Sequence, residues 1–484
     1  MALQKITINE SFLGGLQPTK YGNTQIGLRK ADGVDFFKDA NTGNLQMGYP
    51  PTDLTGSVVT TTPQAFAASD HTTTYPSQLW VAGETKLYRI EVNSDTVTST
   101  TLTSSGSASN IVNYKNTMYF SNTNSVNGDT VVGSFAPTEP NLATFTLSTI
   151  SGLTASSQRA GYRPLRVMKN VLYIGNINAV ASYDGTTTTL AALTLETGLE
   201  VTSLEQYKEY LVIGANKNIG TSGGSLRIDS HVFFWDPDTG DAFDLAKPFP
   251  EPTLLGLITI GGALYAIGTR HLYYFDGEAF RKITGVLSRY GTSLQPGVAE
   301  FQGRYTNWND MLAWATDGVI PLFGNPVGGN PIIYTPFVPT TTGVRGISGH
   351  SNTKFYVGTS SNKLYVFKTG SDTNSSAPVR TQDIILPTPG RVKFVRIKFE
   401  RLAGGDDVEV NLVNHSDDVS TEIGDITGAE IGGSRTSKML NVNSPDIIQS
   451  FHLTFDFIAG TAQIKPGIDI FYEPVVEPYV SNFI

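Results

Sequence analysis

The sequence predicts an all-β protein: a seven-bladed β-propeller, bracketed between six and eight blades, with an extended N-terminal arm and a C-terminal antiparallel β-sandwich. Three observations predict it. A short apolar phrase returns seven times, hairpin turn chemistry accompanies it, and the pattern stops near both ends.

The phrase is clearest as KNVLYIGN, where an apolar run follows a Lys-Asn turn and ends on a glycine. Aligned on the first large apolar residue, the copies fall at Leu79 (SQLWVAG), Met118 (NTMYFSN), Leu172 (NVLYIGN), Leu211 (EYLVIGA), Leu264 (GALYAIG), Leu312 (DMLAWAT) and Phe355 (TKFYVGT). They stand roughly 39 to 54 residues apart, close to the period at which one repeat is one four-stranded blade.

Turn-like residues (YKN, MKN, YKE, IGG, WND, SNT) lie ahead of the copies, often after a further apolar run such as IVNY or LITI. Downstream come KLYRIEV, AVASYDGTTTTL, HVFFWDPDTGDAFDL, HLYYFDGEAFRKI and KLYVFKTG. Their Gly-containing turns signal hairpins, because tight hairpin turns require positive φ. Each unit therefore reads as three or four antiparallel strands. A small residue after the core phrase fits a strand crowded near a central axis. The segment from Leu204, LEQYKEYL, also has a helical reading, with Ser203 and Gln206 spaced like a capping box. Its place in the repeat favours a hairpin.

The repeat predicts a propeller over residues 76–387. Residues 1–75, with GGLQPTKYGNTQ and MGYPPTD between short apolar runs, read as an arm that needs another surface to pack against. After LPTPG, residues 388–484 change to alternating strands (RVKFVRIKFER, DVEVNLVN, SFHLTFDFI, QIKPGIDIFYEP), the pattern of a sandwich.

Composition narrows the function. No apolar run reaches the roughly 20 residues of a membrane helix, and MALQKITINESF lacks the features of a signal peptide, so a soluble protein made in a cytoplasm is expected, without membrane insertion. Zero cysteines exclude disulfides, thiolate metal ligands and thiol nucleophiles. A formal charge of -9 without basic runs is a poor grip for a phosphate backbone.

No motif demands a reaction. GTSGG formally matches a nucleophile elbow with Ser222 at its centre, but no helix follows it. DPDTGD, Asp236 to Asp241, departs from the EF-hand order because Gly240 falls at a ligand position, so it reads first as an Asp-rich hairpin tip and second as a calcium loop. The six histidines, His71, His231, His271, His350, His415 and His452, are not paired at metal-ligand spacing. His231 and His271 occupy matching places in two blades. Four tryptophans, Trp80, Trp235, Trp308 and Trp314, offer thin support for a sugar-stacking platform. The expectation is no catalytic residue, no cofactor and no metal.

The stretch LYYFDGEAFRKITGVLSRYGTSLQPGVAEFQGRYTNWNDMLAWATDGVIPLFG, residues 272–324, resembles the central blades of tail hub or nozzle proteins of short-tailed bacteriophages, with Asp317-Gly318 at a turn between strands. The order of parts resembles that family too: GGLQP and GLRKADGVDFF in an arm, a propeller, and a terminal sandwich ending in IDIFYEP. The resemblance implies a structural virion protein without a catalytic motif. It implies a homohexameric ring below the portal and adaptor, touching tail fibre or needle proteins. DNA would pass through without specific binding, past an acidic wall that repels phosphate at short range. Its expected place is the virion tail, assembled in the host cytoplasm, with arms ordered against neighbouring copies. Two other classes fit the composition: a different virion part, such as a baseplate or receptor-binding protein, and a glycan-binding or glycan-hydrolysing propeller.

Overall fold

In every case the recurring phrase is the second strand of a four-stranded antiparallel sheet. The computed structural model describes residues 3–8, 28–30, 48–56, 58–69, 78–102, 108–124, 128–137, 145–154, 163–219, 226–284, 302–316, 318–325, 331–340, 343–368, 379–400, 402–428, 436–442 and 446–475. Among them there is no α-helix long and apolar enough to cross a membrane.

Seven sheets of four strands follow one another along the chain. Their innermost strands are Ala65–Ser69, Ala108–Tyr114, Leu165–Met168, Leu199–Tyr207, Leu254–Ile260, Tyr305–Trp308 and Val344–His350, numbered here as blades 1 to 7. Each innermost strand packs beside the next, and that of blade 7 packs beside that of blade 1. The ring is therefore closed: the chain is a seven-bladed β-propeller.

Local chemistry makes the blades. The first hairpin turns at Lys115-Asn116, Lys169-Asn170, Gly261-Gly262 and Asn309-Asp310 hold both central residues at positive φ. That is the turn whose twist matches paired strands, and Asn, Asp and Gly adopt it most cheaply. At Leu204 the hairpin prevails over the helical alternative: Leu199–Tyr207 pairs with Tyr210–Ile219 across a turn with Lys208 at φ 55°. The innermost strands of blades 2, 4, 5 and 7 shift register near their starts, at Ala108/Asn110, Val201/Ser203, Leu254/Gly256 and Val344/Gly346. An irregularity there bends and twists a strand around the axis.

The cores lie between blades. Trp80 and Ala82 of blade 1 pack with Met118 and Phe120 of blade 2, whereas Leu79 and Val81 pack with Tyr356 and Val366 of blade 7. A second strand is thus covered on both faces and must be apolar at successive positions, which is why it reads as an unbroken run. Each fully buried Leu, Ile or Val there contributes about 1.5–3 kcal/mol. Crowding at the glycine after the phrase has a different source from the expected central axis. A Cβ on Gly175 would stand 2.5 Å from Pro164 Cγ, at the entry to its own blade, and 3.2 Å from Val201 Cγ1 of the next.

Polar clips join neighbouring blades. Tyr114 Oη donates to Asn170 O (2.9 Å), Lys169 Nζ reaches Asp236 (2.9 Å) and Asp238 (2.6 Å), and Trp308 Nε1 donates to Ser351 O (3.0 Å). Lys354 Nζ bonds Asp95 at 2.7 Å, tying blade 7 to blade 1.

The ring begins earlier than residue 76. Ala65–Ser69 is the innermost strand of blade 1, and Pro51–Asp53, from the predicted arm, is the outermost strand of blade 7, paired with Lys363–Lys368. Pro51–Asp53 is too short and polar to signal a strand alone; the pairing edge supplies the missing stabilisation. Other arm strands also pair within the chain, Gln4–Ile8 with Ile464–Pro474 and Leu28–Lys30 with Val379–Thr381. The rest of residues 9–47 lies outside the described residues.

The C-terminal strands form a branched antiparallel sheet. Ile384–Phe399 pairs through its first residues with Ile448–Ala459, then through its second half with Ser437–Asn441 and Ile464–Pro474. Ile448–Ala459 pairs in turn with Asp407–Asn414, which pairs with Ser420–Thr427. Alternate residues are buried, as at Val408, Val410 and Leu412, and at Phe451, Leu453 and Phe455. The region is thus all antiparallel strand, as the sequence predicts, joined as one branched sheet of nine strands.

Candidate functional site

The innermost strands of blades 1, 2, 3, 6 and 7 line an open cavity of about 290 Å³. Its wall includes Phe66, Asn110, Val112, Arg166, Thr306 and Ser348. The axis-facing position can be found by repeat alignment: Val112, Arg166 and Thr306 each stand six residues before the core residue of their blade, as does Glu205 in blade 4.

Arg166 and Glu205 pair at 2.6 Å, so equivalent positions of consecutive blades carry opposite charges. Glu205 is 4 % exposed. Burial pushes its carboxyl up to about 7, against the pull of Arg166 and of main-chain hydrogen bonds at Gln206 and Thr259. Beside it, burial pushes the Tyr305 phenol up to about 12; Tyr305 Oη lies 3.1 Å from Ser203 Oγ, which accepts from Leu257 N at 3.0 Å. The cavity wall itself offers one guanidinium, that of Arg166, held from behind by the buried Glu205.

Arg166 is the sole charged side chain among the residues lining this cavity. The acidic balance of the chain is thus not displayed on this wall. A volume of 290 Å³ holds about ten waters.

The other sequence candidates fare differently. Ser222 lies outside the described residues, as do His71 and Asp317, while Gly318 holds φ 109°. The carboxylates of DPDTGD hold an ammonium: Lys169 of the preceding blade lies on Asp236 and Asp238, where a calcium ion would otherwise be placed. Hydrogen bonds donated by Lys169 to these two carboxylates, Asp238 first, push its pKa up. His231 and His271 do occupy matching places, at the third strands of blades 4 and 5. Each meets an acid, Asp229 at 3.7 Å and Glu251 at 2.9 Å. Glu251 is buried and also accepts from Thr269 Oγ1, Arg270 N and Tyr273 Oη. That saturated carboxylate fastens the blade. Trp80 and Trp314 are wholly buried, which removes them as sugar platforms.

Spacing missed one cluster. His415 and His452, 37 residues apart, lie with Nε2 and Nδ1 at 2.8 Å, and Asp383 Oδ1 is 3.5 Å from His415 Nε2. Only strand register brings them together.

No family model matches the chain, and no curated protein does. Solved structures similar to it include the Dos1 propeller, at 10% identity and TM-score 0.44, covering 68% of this chain and 96% of that one. Another is the extracellular domain of the hybrid two-component system BT3049 from B. thetaiotaomicron, at 13% identity and TM-score 0.46, covering 90% and 60%. The WD40 propeller domain of Doa1 is similar at 10% identity and TM-score 0.45, covering 67% and 98%.

Proposed function

We propose that the chain is a non-enzymatic structural subunit of a bacteriophage tail, a hub or nozzle protein forming a homohexameric ring below the portal and adaptor. The observation that carries this reading is the order of parts: arm, closed propeller and terminal β-sheet region, the order the resemblance implies. The arm donates Pro51–Asp53 to the propeller and Gln4–Ile8 and Leu28–Lys30 to the C-terminal sheet, so these segments finish this chain's own sheets. Assembly then draws on exposed apolar side chains, and Ile385, Val419, Met439, Ile447 and Ile458 of the C-terminal region supply them. The test is to identify the chain's peptides in purified phage particles and count copies. Six copies, or a small multiple, support a hub; three or many tens point to another virion part; absence overturns the virion reading.

The axial cavity favours a second reading, a propeller that binds a small polar ligand such as a glycan, because 290 Å³ reaches the lower end of ligand-pocket volumes. A glycan array with the purified chain separates the two. Binding abolished by Arg166→Ala selects the second.

A further inference from the structure

We propose that Asp383, His415 and His452 form a divalent-cation site of Zn²⁺ type in the C-terminal sheet. Their register builds it. His452 lies mid-strand in Ile448–Ala459, paired with Val413 on one side, while Ile384 faces Phe451 on the other and so sets Asp383 beside His452. His415 follows Val413 by two residues, on the same face, and its amide donates to Ser450 O at 3.1 Å. One ligand atom from each of the three residues falls within 4.8 Å of the others.

Two imidazoles and a carboxylate are a common protein ligand set for zinc and neighbouring first-row ions, with a fourth position left for water. An ion about 2.1 Å from each donor needs donors roughly 3.4 Å apart. Asp383 and His415 meet this at 3.5 Å, and the 2.8 Å histidine contact must open by about 0.6 Å. That contact is itself informative. Two imidazole lone pairs repel when aimed at one another, so the space between His415 Nε2 and His452 Nδ1 must hold a proton or a cation.

The surroundings resemble an outer shell. His415 Nδ1 is 3.2 Å from Ser450 Oγ, which fixes the ring with Nε2 facing inward. Arg380 Nη2 donates to Asp383 Oδ1 at 3.2 Å, orienting the carboxylate. Such partners set ligand direction at metal centres. His452 is buried and the other two are partly exposed, which leaves an entry path. A bound ion would join three neighbouring strand segments and lock their register.

The test uses the full chain stripped with chelator, titrated with ZnCl₂ by calorimetry and with CoCl₂ by visible absorption. The expected result is one Zn²⁺ per chain at micromolar affinity or tighter, Co²⁺ bands of a low-coordinate nitrogen and oxygen site, and weakening as pH falls and protons compete for the imidazoles. His415→Ala and Asp383→Asn should each weaken binding by more than about tenfold. Because His452 is buried and its alanine variant risks unfolding, the partly exposed His415 decides, with circular dichroism to confirm the fold. Lack of stoichiometric Zn²⁺ binding by the folded chain, or unchanged affinity in folded His415→Ala, overturns the proposal.

Discussion

The propeller and the C-terminal sheet use the same strand chemistry but differ in how far the chain travels to pair. Within blades 1 to 6 each strand pairs with the next in sequence, across turns as short as two residues, and only blade 7 takes its outermost strand from afar. In the C-terminal sheet most pairs join strands that are not consecutive, and its edge strand Gln4–Ile8 comes from the opposite end of the chain. Local pairing leaves its signature in local sequence; distant pairing does not. The same contrast appears in two buried carboxylates. Glu205 in the propeller has one arginine against heavy desolvation, whereas Asp469 in the C-terminal sheet has Lys5, Thr7 and Arg396. Burial acts to raise Asp469 as well, but those three hydrogen bonds outweigh it and hold the group at about 2.

The sharpest break of the ring is Gly175→Val. Its branched side chain would meet the stiff Pro164 ring and Val201 of the next blade, at a cost of about 3 kcal/mol in urea unfolding. A cost below about 0.5 kcal/mol would show that neighbouring blades yield easily.

The two carboxylates should then give opposite pH slopes. Glu205 keeps a proton in the folded chain that the unfolded chain has lost, so stability falls as pH rises from about 4.5 to about 7. Glu205→Gln removes that fall, a gain on the order of 2 kcal/mol at pH 8. Asp469 is held below its ordinary value, so its contribution is present above about pH 4 and is lost as pH drops toward 2. Asp469→Asn should cost about 1–2 kcal/mol at pH 7 and little at pH 2. Thermal melts of both variants across pH check the signs.

The smallest effect belongs to the clips. Lys169→Ala removes a partly exposed ammonium from Asp236 and Asp238 and should cost less than about 1 kcal/mol, shrinking further in high salt.

These contrasts explain what was legible. The blades could be read because a second strand covered on both faces must be apolar throughout, and because Lys169-Asn170 and its counterparts carry the turn's φ requirement in their residue types. Arg166 and Glu205 were within reach, since repeat alignment sets both at the axis-facing position. Pro51–Asp53 was not: three residues without apolar alternation become a strand only because blade 7 offers them an edge. Asp383, His415 and His452 were equally hidden, because two histidines 37 residues apart become neighbours only through strand register.

Ring closure by the chain's own arm is the claim on which the rest depends, and the absence of native cysteine makes it directly testable. Asp53 and Tyr365 face one another, and the neighbouring Leu54 N donates to Leu364 O at 2.8 Å. That alternation makes Asp53 and Tyr365 a close, non-hydrogen-bonded pair suited to a disulfide. Oxidised Asp53→Cys/Tyr365→Cys protein should run as a single chain with an internal cross-link. A ladder of cross-linked multimers, or two thiols that stay free in the folded protein, would contradict self-closure.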